Sequence, residues 1–172
     1  MKNLTTGAAG EFYVAAYLSR KQLLVALPRA GSPGSDLFVA PNGKGRTMRV
    51  QVKTGTESKR SPKWNDKKEI RLWQNSVSVI DDQAKDFWFA FVWLREWPDK
   101  EELPEVFFIP SSEVAKQMIP EREELAKDPN YRPYFWMQIA DLEDYKGEAG
   151  YQLFLAAMTP ETTTLTDTLE TQ

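Results

Sequence analysis

The sequence predicts a single α/β layered domain, a β-sheet with helices packed around it. Three observations predict it. Segments with helical and strand periodicity alternate along the chain, and no internal repeat interrupts them. The run Phe87 to Leu94, FWFAFVWL, is almost wholly apolar yet too short for a membrane, so it reads as a central strand buried on both faces. A length of 172 residues, with 41% hydrophobic and 27% charged, fits one domain with a sizeable core.

Taken in order, Thr5 or Thr6 is placed to cap a helix running to about Lys21, with Gly10 as its weak spot. Gly7, Glu11, Val14 and Leu18 follow helical spacing and share a face. Glu11 therefore lies on or beside a packing face, which is costly unless the carboxylate is paired, bound to a cation, or snorkels out at the stripe's edge. Leu23 to Leu27 reads as a first buried strand ending at Pro28. A Gly/Ser/Pro loop, Gly31 to Ser35, then opens into the strand Asp36 to Ala40, and Pro41 to Gly45 reverses the chain. The return strand is Arg46 to Thr54. On it Met48, Val50 and Val52 alternate with Arg49, Gln51 and Lys53, one set for the core and one polar.

Beyond the hairpin, Glu69 to Trp73 and Val106 to Ile109 read as strands, the second stopped by Pro110. Ser111 or Ser112 is placed to cap a short helix to about Met118, and Pro120 to Lys127 reads as a separate helical segment because proline ends what precedes it. The last strand is expected from about Phe135, and a terminal helix from Tyr151 to about Met158 after the interruptions at Gly147 and Gly150. The domain is thus expected to span residues 1–158. The Thr-rich tail, 159–172, has little to bury and is expected to be flexible.

If the strands flanking Pro41 to Gly45 pair as a hairpin, Asp36 comes near Gln51 and Lys53, bringing an acid, an amide and an amine to one sheet end. That set suits metal-assisted phosphodiester hydrolysis. A carboxylate with neighbouring oxygens can hold magnesium, which keeps several waters and needs few protein ligands. A lysine can orient the attacking water and balance charge at the phosphate. The alternative at this level is a hairpin whose polar face simply meets solvent. The chain has no Cys and no His, so any bound metal must take oxygen ligands.

Asp36, the hairpin, and then Gln51-Val52-Lys53 resemble the signature of the PD-(D/E)XK phosphodiesterase superfamily, in the variant with Gln for the second acid. Gly7-Ala8-Ala9-Gly10-Glu11 with Val14, Ala15 and Leu18 resembles that superfamily's first helix, whose Glu faces the metal site. Ser35 stands where the name-giving pattern has Pro, and Gln51 is neutral. The resemblance implies a restriction-endonuclease-like fold, a mixed central sheet flanked by helices, and a nuclease hydrolysing DNA with magnesium, or manganese in its place. It also implies the roles. Asp36 would be the main metal ligand, Glu11 a further ligand or water-mediated partner, Gln51 a neutral ligand, the Val52 carbonyl another, and Lys53 the residue that orients the nucleophile. The neutral Gln51 keeps open a second reading, a non-catalytic nucleic-acid-binding or interaction module on the same fold.

The net charge of −3 hides an uneven distribution: residues 1–80 carry 14 Lys/Arg against 5 Asp/Glu, while residues 81–172 carry 8 against 20. A basic half that contains the candidate site suits DNA as partner, because phosphate neutralisation supplies most non-specific affinity. Pairing of the charges across the folded surface is the alternative. The run Lys59, Arg60, Lys63, Trp64, Lys67 and Lys68 has the cations and the aromatic ring of a loop that tracks phosphates and stacks bases; it reads equally as a solvated loop. No apolar signal core opens the chain and no run is long enough to span a membrane, so the expected compartment is the cytoplasm. Cutting both strands with one site per chain would favour a homodimer.

Overall fold

The structure, a computed structural model of the chain, describes residues 2–28, 34–55 and 70–159, with side chains from Thr5 onward. In chain order the elements are α1 (Lys2–Arg20), β1 (Leu24–Ala26), β2 (Leu37–Ala40), β3 (Met48–Gly55), β4 (Ile70–Gln74), a 3-10 turn (Val77–Asp81), β5 (Phe87–Trp93), β6 (Glu105–Pro110), α2 (Ser111–Lys127), β7 (Tyr134–Gln138), α3 (Ile139–Leu142), a second 3-10 turn (Glu143–Tyr145) and α4 (Gly147–Met158). Five strands form a mixed sheet in the order β1-β2-β3-β5-β6. Only β3 and β5 are parallel; the other neighbours run antiparallel. A separate antiparallel ribbon joins β4 to β7. This mixed sheet flanked by helices is the architecture the sequence predicts.

Two apolar clusters cover the two faces of the central sheet. On one, Val14 and Leu18 of α1 and Phe154 and Met158 of α4 pack on Leu37, Val39, Met48, Val50, Val52, Trp88 and Ala90. On the other, Val114 and Met118 of α2 and Trp73 and Phe135 of the ribbon pack on Phe87, Phe89, Phe91, Phe107 and Ile109. β5 contributes alternate residues to both, which is why its sequence is apolar without alternation. A phenylalanine stack runs from Phe89 through Phe91 to Phe135, with centroids 5.4 and 4.4 Å apart. It ties the ribbon to the sheet.

Four local expectations are corrected. Leu23–Leu27 is not a buried strand: β1 lies at the sheet's edge, with Leu24 and Leu27 exposed, because nothing pairs or packs on its outer side among the described residues. α1 begins at Lys2, ahead of the two threonines, because Lys2-Asn3-Leu4 contains no residue that breaks a helix. It ends at Arg20, where Gln22 turns the backbone left-handed at φ 64°. The two segments expected around Pro120 are one helix, α2, starting from an N-cap at Pro110 with no side-chain capping bond. Proline forfeits its bond to the carbonyl four residues back, yet the helix continues because tertiary bonds grip its second half. The Glu121 carboxylate accepts from the Tyr134 amide and the Tyr131 hydroxyl, and Arg122 bridges to Asp81 at 2.6 Å. The terminal helix starts at Gly147, ahead of Tyr151, since Gly147 itself takes the left-handed turn at φ 51° that launches it.

Candidate active site

The hairpin register is Leu37↔Val50, Phe38↔Arg49 and Val39↔Met48, and it ends there. The Asp36 amide still donates to the Val50 carbonyl at 2.9 Å, which puts Asp36 opposite Gln51. Further along, β3 continues alone on that side while its other edge stays paired with β5 through Gly55↔Trp93. A gap therefore opens between the start of β2 and the second half of β3. Into it the Val52 amide donates to Asp36 Oδ2 at 2.7 Å. A strand residue's N–H and C=O leave on the same edge, so the Val52 carbonyl also faces this gap, beyond the last ladder bond.

Side-chain alternation settles which face the groups occupy. Leu37, Val50 and Val52 enter the cluster under α1, so Asp36, Gln51 and Lys53 take the opposite face, beside the register partners Phe89 and Phe91. Glu11 arrives from α1 at the open end of the gap. It senses both neighbours: burial pushes its carboxyl above the ordinary range, the Asp36 charge pushes it further, and Lys53 pulls it back. Burial lowers the Lys53 ammonium below the ordinary lysine range, against the opposing pull of Asp36 and Glu11. Lys53 has no salt-bridge partner among the described residues, so its amine is not committed to a structural bond.

A close helix–strand approach makes this meeting feasible. A Cβ added at Gly10 would lie 1.9 Å from Thr54 Oγ1 and 3.0 Å from Thr54 Cβ and Cγ2. Gly10 is thus the point at which α1 rests on β3, one residue before Glu11 and one after Lys53 on their respective elements. A Gly that looks like a helix weakness is a close-packing requirement. The small-residue run Gly7-Ala8-Ala9-Gly10 was the available signal for it.

Hydrogen bonding and register thus set Asp36 beside the Val52 amide and across from Gln51, and Glu11 lies within electrostatic reach of Asp36 and Lys53. The basic run, Lys59, Arg60, Lys63, Trp64, Lys67 and Lys68, lies outside the described residues, as does the tail from residue 160. Cross-surface pairing consumes part of the basic half's charge. Arg49 bonds both oxygens of Asp82 at 2.8 and 3.0 Å and reaches Asp86 at 3.2 Å, and Lys21 bridges to Glu148 at 2.5 Å. The acidic connector after β5 is neutralised in part by Arg95, which holds Glu102 and Glu105, each at 2.6 Å. Among the described residues no helix is long and apolar enough to cross a membrane.

The donors suit a hard divalent cation. Asp36 has one oxygen bonded to the Val52 amide and the other without a hydrogen bond among the described residues, Glu11 is a half-buried carboxyl that only Lys53 offsets, and Gln51 adds a neutral oxygen. A cation between the two carboxylates would offset both the burial and the Asp36 charge that push Glu11 up. Among the described residues no cluster of three acidic, His or Cys side chains gathers, so the set would depend on amide and backbone oxygens besides its two carboxylates.

Among solved structures, the chain is similar to the bacterial homing endonuclease I-Ssp6803I, at 16% sequence identity and a TM-score of 0.48, over 88% of this chain and 91% of that one. No family model matches the sequence, and no curated protein matches it. What the protein does has to be read from its own side chains.

Proposed function

We propose that the protein is a metal-dependent DNA nuclease of the PD-(D/E)XK type, in the variant that carries Gln in place of the second acid. One observation carries the reading. The Asp36 carboxylate, pinned by the Val52 amide at 2.7 Å, lies within electrostatic reach of Glu11, whose carboxyl burial pushes up, and of Lys53, whose ammonium burial pulls down. A structural hairpin has no use for a half-buried lysine without a salt bridge beside two carboxylates; a hydrolytic site does.

In that site the free oxygen of Asp36, the Val52 carbonyl, Glu11 and the Gln51 side-chain oxygen would hold magnesium or manganese. The ion supplies Lewis-acid polarisation of the scissile phosphate and stabilises charge as it develops. Lys53 Nζ orients the attacking water and balances charge at the phosphate, and the water's proton passes to solvent as the oxygen–phosphorus bond forms. The ester P–O bond on the opposite side breaks, and the leaving oxygen takes a proton from solvent. Glu11 and Asp36 hold the charge distribution that keeps Lys53 in place. DNA is the expected substrate because residues 1–80, which supply the whole site, carry the chain's cationic excess.

The test is incubation of the purified chain with supercoiled plasmid and with single-stranded DNA in magnesium or manganese, alongside Asp36→Asn and Lys53→Met. The wild type should nick or degrade DNA and both variants should lose at least a hundredfold in rate. Cleavage undiminished in Asp36→Asn overturns the reading. A wild type that binds DNA without cutting it would leave the non-catalytic module, for which the neutral Gln51 is the specific observation.

A further inference from the structure

At the end of the sheet where β5 begins, a cavity of about 390 Å³ opens between the start of α2 and the end of α4. Its wall is mostly apolar, with Phe87, Trp88 and Ala156, and it carries two cations, Arg46 and Lys85, and the hydroxyl of Ser112. Among the described residues no carboxylate lines it. That is selective, because every lining residue except Arg46 comes from 81–172, where acids outnumber bases 20 to 8. The acids flanking Lys85 in sequence, Asp82 and Asp86, are both held by Arg49. The Arg46 side chain makes no hydrogen bond or ion pair among the described residues. Carbonyls at the end of α4, which would repel an anion, are occupied: Met158 accepts from the Arg46 amide at 2.8 Å, and Ala156 from the Thr159 amide at 3.1 Å.

We propose that this cavity binds a small phosphomonoester, with its phosphate at Arg46 and Lys85 and a compact apolar body against the wall. A phosphomonoester carries about −1.5 to −2 charge at neutral pH, which matches two cations in a lining without acids. The guanidinium fork of Arg46 suits two phosphate oxygens at once. The volume is far beyond the roughly 30 Å³ share of one water and lies in the range of about 300–1,000 Å³ of small-molecule pockets, so a bare ion would leave the apolar wall unused. This site is separate from the gap at Asp36. Arg46 precedes β3, whereas Lys53 lies five residues beyond Met48 along it, about 16 Å toward the other end of the sheet. The proposal therefore does not depend on the nuclease reading.

The test is calorimetric titration of the full chain, in metal-free buffer, with phenyl phosphate, inorganic phosphate and phenol. Phenyl phosphate should bind the wild type, and both fragments should bind at least about tenfold more weakly. Arg46→Ala should weaken phenyl phosphate about ten- to hundredfold, the loss expected for a hydrogen bond to a charged group, and Arg46→Lys should recover part of it. Ala156→Phe should weaken it as well, by filling the cavity. Both positions are exposed, so Tm should stay at the wild-type value. Lys127→Ala, at the far end of α2, should bind as the wild type does. Absence of phenyl phosphate binding at millimolar concentration would overturn the proposal, as would affinity unchanged in Arg46→Ala and Ala156→Phe. Inorganic phosphate binding as tightly as the ester would reduce the site to an adventitious ion only. Binding lost in Asp36→Asn but kept in Arg46→Ala would place the ligand in the hairpin gap instead. A wild type that binds nothing until Glu161, Asp167 and Glu170 are neutralised together would assign the cavity to the chain's own acidic tail, which also overturns a free ligand. DNA cleavage enters none of these measurements, so the nuclease reading stands or falls separately.

Discussion

Replacing Gly10 with Ala perturbs the joint between α1 and β3 without touching a candidate catalytic group. The new Cβ would sit 1.9 Å from Thr54 Oγ1 and 3.0 Å from Thr54 Cβ and Cγ2. Ordinary carbon contacts are about 3.5–4.0 Å. Rotating the threonine only exchanges one short contact for another, because all three atoms are near, so the helix must lift by about 1 Å. Overpacking of this kind costs about 1–3 kcal/mol, and the gain in helix propensity from Gly to Ala returns about 1. The net is a loss of about 1 kcal/mol, or roughly 2–4 °C in Tm for a chain of this size. Function should suffer more, since a misplacement of about 1 Å can cost about a hundredfold in rate and Glu11 rides on the displaced turn. Gly7→Ala is the internal control: a Cβ there meets nothing within 4 Å, so it should stabilise by up to about 1 kcal/mol and leave cleavage unchanged. Thr54→Ala in the Gly10→Ala background should restore most of the loss. The assays are thermal unfolding and plasmid nicking on all four proteins. If Gly10→Ala stabilised as much as Gly7→Ala and cut DNA at the wild-type rate, the joint would not position the site.

Lys53→Met should abolish cleavage while leaving Tm at neutral pH equal or higher, because burial disfavours the ammonium. With its folded pKa below the unfolded value, Lys53 makes the wild type gain stability as pH rises from that lowered value toward 10.5; Lys53→Met should lack the gain, which chemical denaturation from pH 7 to 10 measures. Glu11 has the opposite sign of linkage. Its folded pKa exceeds the unfolded 4.5, so metal-free stability should fall as pH rises from there through the folded value, and Glu11→Gln should flatten the fall. The same proton must leave when a cation binds, so apparent manganese affinity should climb over that pH range in the wild type and climb less in Glu11→Gln, as followed by calorimetric titration. Gln51→Glu adds a charged oxygen beside Asp36 and should tighten magnesium binding and raise activity at low metal; weaker or equal affinity by calorimetry would remove Gln51 from the ligand set.

The hairpin was legible because its period of two leaves no freedom: a slip of one residue would send Arg49, Gln51 and Lys53 into the core and Met48, Val50 and Val52 out of it. β5 was legible for a related reason, since a strand covered on both faces must be apolar throughout. Its partners were not. The ribbon pairs Trp73 with Phe135, more than sixty residues apart, and no local pattern encodes a contact of that span. β1 misled because an apolar run reports what a strand can bury, not whether anything lies beyond it to bury against. At Pro120 the local cost of proline is outweighed by the bonds of Glu121 and Arg122, which are tertiary and leave no local pattern. At the candidate site, Asp36, Gln51 and Lys53 follow from the hairpin's spacing, whereas Glu11 joins them only through the resemblance of the first helix to the superfamily's. The Val52 amide that pins Asp36, and the contact at Gly10 that sets the helix height, follow only from the register.

Crystals grown or soaked with manganese test, through the metal's anomalous scattering, the proposal that these groups hold one divalent cation. The account predicts a single strong peak in the gap between β2 and β3, bonded to the free oxygen of Asp36 and to the Val52 carbonyl at about 2.1 Å, with Glu11 and Gln51 bonded directly or through one water. The peak should vanish in Asp36→Asn. A manganese peak that avoids Asp36, or a saturated crystal with no peak in this gap, would contradict it.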